Sequence, residues 1–177
     1  MRLTPRIHIV ILFFCVLSFS GVAFAGNTLK MFSMANQAAR AGKLDFAFMH
    51  YRSILRDNPT SPYTDQALFA LGEYLYIMTD YNQARDFFSQ YLESQSQPEG
   101  KLFALVYLLK MALSEHETDI AQEIEKEILL WRQQTYIFKK VKEYSYRSPL
   151  FRKHKAVYSI DKIEFYIENE PFAKVSY

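Results

Sequence analysis

Apolar residues recur one helical turn apart through most of the chain. Their phase predicts helices over Thr28–Ala41, Leu44–Arg56, Gln66–Met78 and Tyr81–Glu93. A further apolar run, Leu102–Leu113, keeps the helical period, and Ala121 keeps it beyond. Short turns, Gly42-Lys43 and Thr79-Asp80, join the members of the first two pairs. Gly42 suits the left-handed geometry that closes a helix, and Asp80 is placed to cap the next one. Pro62 suits the first turn of the second pair's leading helix, where its missing N–H costs nothing. Near the C-terminus the period changes to two. Ile163, Phe165 and Ile167 alternate with Glu164, Tyr166 and Glu168, which predicts a strand. Glu168-Asn169-Glu170-Pro171 reads as a turn, with Phe172–Tyr177 pairing back as a hairpin. A final helix ending near Asn169 is the other reading of that stretch.

The first residues carry a different pattern. Arg2 and Arg6 precede the unbroken apolar run Ile9–Leu17, and Ala23-Phe24-Ala25 offers a small-x-small cleavage site. This is the layout of a secretory signal peptide over residues 1–25. The alternative is an uncleaved anchor over residues 7–25, of marginal spanning length and weakened by His8, Ser18 and Ser20. Cys15 sits inside the apolar run behind Phe13-Phe14, which argues against lipidation. Removing residues 1–25 changes the charge count. The 21 basic residues lose Arg2 and Arg6, leaving 19 against 19 acidic ones, and the one cysteine departs. Stability then has to come from packing, without disulfides or a Cys-based metal site.

The chain also repeats. Ala47, Ala84 and Ala121 are each 37 residues apart. Tyr51 and Phe88 follow the first two by one turn, Leu44 and Tyr81 precede them by three residues, and Ala35 and Gly72 by twelve. Pro59 ends the first unit, and Pro98 ends the second slightly out of register. The physical reading is a stack of helix pairs: small residues allow close approach, and the aromatics fill the space between units. The pattern Leu71-Gly72, Tyr81, Ala84, Phe88, with Ala35, Gly42, Leu44, Ala47, Tyr51 and Pro59 in the first unit, resembles the tetratricopeptide repeat, though its usual period is about 34. It is similar to the variant in periplasmic and outer-membrane-associated members of that family, of the Tol-Pal coordinator and β-barrel assembly lipoprotein types. The third unit departs from the pattern at Leu109, Thr118 and Glu125. The resemblance implies a concave groove lined by the first helix of each pair. Its register falls on Asn36, Glu73 and Lys110, with Arg40, Phe69 and Tyr76 one turn away as further partner-binding candidates. Core packing is the competing reading for Phe69 and Tyr76.

The fold expected is therefore all-α: a helix-pair solenoid of two to three repeats over residues 26–131. Residues 132–177 form a basic, aromatic extension. That extension holds eight basic residues and one acidic one between Arg132 and Lys155, while Glu115–Glu127 holds six acidic residues and one lysine. Lys139, Lys140, Lys142, Arg147, Arg152 and Lys153 make a candidate basic surface for anionic lipid or an acidic partner. A solvated, internally neutralised face is the simpler alternative.

Recognisable catalytic chemistry is absent from the sequence. His116-Glu117-Thr118-Asp119-Ile120 begins like a zinc protease helix, but Ile120 replaces the second ligand. There is no phosphate loop, no serine elbow and, after cleavage, no cysteine nucleophile. No cofactor, metal or nucleic-acid partner is expected. The function expected is an exported, non-enzymatic adaptor that binds envelope proteins or peptides or self-associates. The alternative is a peripheral or anchored protein that binds anionic membrane through residues 132–155.

Overall fold

The computed structural model describes residues 27–94, 98–134 and 143–176. Six helices are followed by four strands within those residues. Helix α1 spans residues 27–40 and α2 Leu44–Asp57. Helix α3 is Thr64–Ile77, α4 Tyr81–Glu93, α5 Pro98–Ser114 and α6 Thr118–Gln134. Pro62 lies in the turn ahead of α3 rather than in its first turn, and Pro98 opens α5 rather than closing the second pair. The proposed signal segment, residues 1–25, lies outside the described residues. No helix among the described residues is long and apolar enough to cross a membrane.

The helices pair consecutively, and the repeat is legible in the backbone itself. Gly42, Thr79 and His116 all have left-handed φ angles, of 72°, 61° and 61°, each 37 residues after the last. At each turn the following N–H reaches back to the carbonyl five residues earlier. Lys43 bonds to Ala38, Asp80 to Leu75 and Glu117 to Ala112, all at 2.9 Å. This six-to-one bond satisfies a carbonyl left open at the helix end. Each turn then hands over to a helix whose repeat alanine, Ala47, Ala84 or Ala121, is buried. The Asp80 side chain accepts from the Gln83 N–H at 3.3 Å, as its capping position predicts.

Only the first of these turns has glycine. Thr79 is β-branched and pays the steric penalty that a Cβ meets in this region. We expect Thr79→Gly to raise stability by about 1 kcal/mol, net of the unfolded-state entropy that glycine adds. Urea unfolding read by circular dichroism would measure it, and an unchanged or lower midpoint would show the strain is relieved elsewhere.

Close packing follows from the small residues. A Cβ added to Gly72 would lie 3.1 Å from three ring atoms of Phe88, which itself stacks on Tyr107 with centroids 4.9 Å apart. One core cluster joins α1, α2 and α3 with Leu150. The larger one joins α3, α4, α5 and α6 with the sheet.

The C-terminal region corrects the all-α expectation. Strands β1 (Glu143–Arg147), β2 (Lys153–Tyr158), β3 (Lys162–Ile167) and β4 (Glu170–Ser176) form one antiparallel sheet in sequence order. The expected hairpin is its β3–β4 half. The turn is Glu168-Asn169, both at positive φ, as a two-residue hairpin turn of this twist requires. The helix alternative for that stretch does not occur. The basic segment supplies β1 and β2, where tyrosine, histidine and alanine hold the inward positions and polar residues most of the outward ones.

One face of the sheet is buried. His154 and Ala156 on β2, Ile163, Phe165 and Ile167 on β3, and Val175 on β4 point into the larger cluster. A lone hairpin is marginal in water, and docking four strands on helices resolves that. Helix α5 lies between neighbours and sheet, with Leu102–Tyr107 all buried, so its sequence is apolar on every side. Leu109 is fully buried in the larger cluster, at a position where the repeat pattern has a small residue.

Candidate functional site

The six groove candidates do gather on the face made by α1, α3 and α5, but that face is covered by the chain's own C-terminal segment. Phe69 on α3 is fully buried, its ring edge-on to Tyr146 of β1 at 5.4 Å and to His154 of β2 at 6.1 Å. Tyr76, about two turns further along α3, meets Phe172 of β4 at 5.6 Å. Its hydroxyl pKa is pushed up to about 12, chiefly by burial. Lys110 places its ammonium 5.8 Å from the Phe172 ring. At the other end, the Arg40 guanidinium sits 4.7 Å over Phe151 in the β1–β2 connection. Asn36 Oδ1 accepts from the Tyr51 hydroxyl at 2.9 Å, and that hydroxyl also lies 3.1 Å from the Pro149 carbonyl. A register derived for an open groove thus marks the seat of a sheet. A partner on Phe69, Glu73 or Tyr76 would have to displace it, whereas Arg40 stays exposed.

Glu73 lies at the centre of the covered face. Its side chain has no solvent exposure, an unusual position for a carboxylate unless it is paired. The pairing comes from both layers. Tyr107 of α5 donates its hydroxyl hydrogen to Oε1 at 2.8 Å. From the sheet side, His154 Nε2 is 3.2 Å from the same oxygen and Arg152 Nη1 is 3.5 Å from it. Oε2 has no hydrogen-bond partner. Burial opposes the charge, but the hydrogen bond and charge of His154, followed by the charge of Arg152 and the Ser148 hydroxyl, outweigh it. The carboxyl is held below the usual carboxylate range. The Tyr107 hydroxyl is driven the other way, well above its ordinary value, by burial first and by the Glu73 charge second.

The basic surface divides. Lys139, Lys140 and Lys142 lie outside the described residues. Arg147 and Lys153 are exposed on the outer side of the sheet and directly opposite one another on β1 and β2. Lys155 follows on the same face, its ammonium 5.0 Å over the Tyr166 ring. Arg152 belongs elsewhere: it turns inward to Glu73. Acidic residues interrupt the outer face, since Glu164 pairs with Lys162 at 2.8 Å and stands opposite Lys174. The Glu168 carboxylate accepts from the Lys153 N–H at 2.7 Å. Among the described residues, the outer-face cations are interspersed with these carboxylates.

No protein-family model matches this chain, and no curated protein is measurably similar to it. What the site residues form is an internal interface: aromatic rings, two cations over ring faces and one shared carboxylate join two layers of a single chain. His154 and Arg152 were missed as partners of Glu73 because 79 to 81 residues separate them from it in sequence. One signal did exist. The stretch from Ala67 to Gly72 has no polar face, and a helix lining an open groove needs one.

Proposed function

We propose that the protein is an exported adaptor of the bacterial cell envelope, with a tetratricopeptide-type helix stack and a binding role without chemistry. The observation that carries this reading is the threefold recurrence of the same helix-closing turn, 37 residues apart. Stacks built this way make broad, rigid contact surfaces whose neighbouring units support each other. The sheet on the concave side moves recognition to the outer surfaces of the module unless a partner displaces it. Crosslinking the mature chain in envelope fractions, with partner identification, tests the reading. Recurrent crosslinks to one envelope protein support it; a chain that stays in the cytoplasm with residues 1–25 attached sinks it.

A second reading rests on one feature, the direct opposition of Arg147 and Lys153 on the outer sheet face. Like charges placed so are destabilising unless an anion lies between them, which favours contact with anionic headgroups. Co-sedimentation with anionic vesicles at low and high salt separates the two readings, because headgroup binding of this kind is screened by salt.

A further inference from the structure

Among the described residues, every ion pair between the helices and the sheet uses the same acid. Glu73 takes both His154 and Arg152, and the remaining pairs lie within the helical layer or within the sheet. The hydrogens at this node are constrained by chemistry. His154 Nδ1 is 3.2 Å from the Arg152 carbonyl, which can only accept, so Nδ1 carries a hydrogen. Nε2 lies 3.0 Å from the Tyr107 hydroxyl and 3.2 Å from Glu73 Oε1. Tyr107 has a single hydrogen to give. With a neutral imidazole, Nε2 is an acceptor and competes with Glu73 for that hydrogen. If Tyr107 turns to the ring, Oε1 keeps only Arg152, at 3.5 Å. With a second hydrogen on the ring, Nε2 donates to Glu73, Tyr107 donates to Glu73, and Arg152 Nη1 faces the Tyr107 oxygen at 3.4 Å. Only this wiring gives every group at the node a complementary partner apart from Oε2.

We propose that the sheet is held on the helices by a proton-dependent latch, closed when His154 carries hydrogen on both ring nitrogens and Glu73 is ionised. The latch fails in two directions. As pH falls, Glu73 takes up a proton, and the cationic ring and Arg152 lose their counter-charge inside a buried site. As pH rises, the ring without its Nε2 hydrogen turns a lone pair on Glu73 Oε1 at 3.2 Å and competes for the Tyr107 hydrogen, so the buried carboxylate loses a donor. The groups facing the pair from the packed elements are Tyr51 of α2, Tyr107 of α5, and Ser148 and Arg152 of the β1–β2 connection; Tyr146 of β1 lies against the His154 ring. None of them is a second carboxylate able to replace Glu73. Opening the latch frees the face that bears Phe69, Tyr76 and Lys110, so proton concentration controls access to it.

The test uses the full mature chain labelled with nitrogen-15. Ring nitrogen spectra, with His154 assigned by its loss in His154→Gln, report both ring hydrogens. Amide exchange protection of β2 and β3 reports docking, and that of α2 and α4 reports the helices. We expect loss of the Nε2 hydrogen to coincide with loss of sheet protection while α2 and α4 stay protected. We also expect Glu73→Gln to lower sheet protection roughly tenfold near neutrality and to abolish the acid-side loss, the scale of one charged hydrogen bond. A docked sheet whose His154 ring lacks one hydrogen overturns the latch. So does a ring that titrates without change in sheet protection. Should Glu73→Gln fail to fold, the co-titration in the unaltered chain decides alone.

Discussion

Replacing Glu73 by Ala is expected to destabilise the fold by about 3 to 5 kcal/mol, the scale for breaking a buried ion pair by removing one partner. The substitution leaves His154, with no exposed side-chain surface, and the mostly buried Arg152 facing a void where their shared acid stood. Tyr107→Phe removes one neutral donor from the same oxygen and keeps both charge contacts. It should cost about 1 to 2 kcal/mol, so the ratio of the two losses separates charge pairing from hydrogen bonding. The pH dependence carries its own sign. Glu73 is held below the usual carboxylate range when folded, so its stabilisation is present above the unfolded value and is lost as pH falls through the folded one. Urea midpoints should therefore drop on the acid side in the unaltered chain, and drop less in Glu73→Ala. Equal acid slopes in both would show that the carboxyl contributes no linkage.

The helices and their pairing were legible because their signals are local. The period-37 alanines, the capping Asp80 and the left-handed Gly42 each act within one turn of the chain, and each appears where expected. Thr79 and His116 share Gly42's geometry without its chemistry, so tertiary packing dictates those two turns and propensity does not. The sheet was half legible. Its β3–β4 hairpin alternates apolar and polar residues cleanly, whereas β1 is Glu-Tyr-Ser-Tyr-Arg and β2 carries His154 among lysines. Their buried positions are tyrosine, histidine and alanine, which look polar or neutral until the docking surface is known.

The covered groove was the least legible feature, since no local rule says that α3 and β2 meet. The composition of α3 and α5 nevertheless constrained it. A helix buried along a continuous run from Ala67 to Glu73 must be covered on more than one side. The cover for α3 comes from β1, β2 and β4, whose Tyr146, His154 and Phe172 meet Phe69 and Tyr76. The same reasoning reinterprets the charge segregation. Among the described residues, Arg152 is an inward cation, and Lys153 and Lys162 on the outer face have Glu168 and Glu164 beside them.

Phe69→Ala is expected to have an effect as large as losing the acid, by a different route. The ring is fully buried and meets five others edge-on. Phe88 lies at 5.5 Å, Tyr91 at 5.2 Å and Tyr107 at 6.2 Å on the helices, with Tyr146 at 5.4 Å and His154 at 6.1 Å on the sheet. Truncation removes the transfer energy of a phenyl ring and leaves a cavity that these rings, each fixed by other neighbours, cannot collapse into. The loss should be about 3 to 5 kcal/mol, which for a chain of this size lowers Tm by roughly 10 °C. Tyr76→Ala makes the contrast, because its half-buried ring leaves a gap that water can fill and should cost about 1 to 2 kcal/mol. Had these two side chains lined an open groove, both substitutions would leave Tm near the unaltered value and act on partner capture alone. In the covered groove the ordering is fixed by burial, and Phe69→Ala must lose sheet protection together with thermal stability. A Phe69→Ala variant that keeps its melting temperature would mean that the sheet does not rest on this ring.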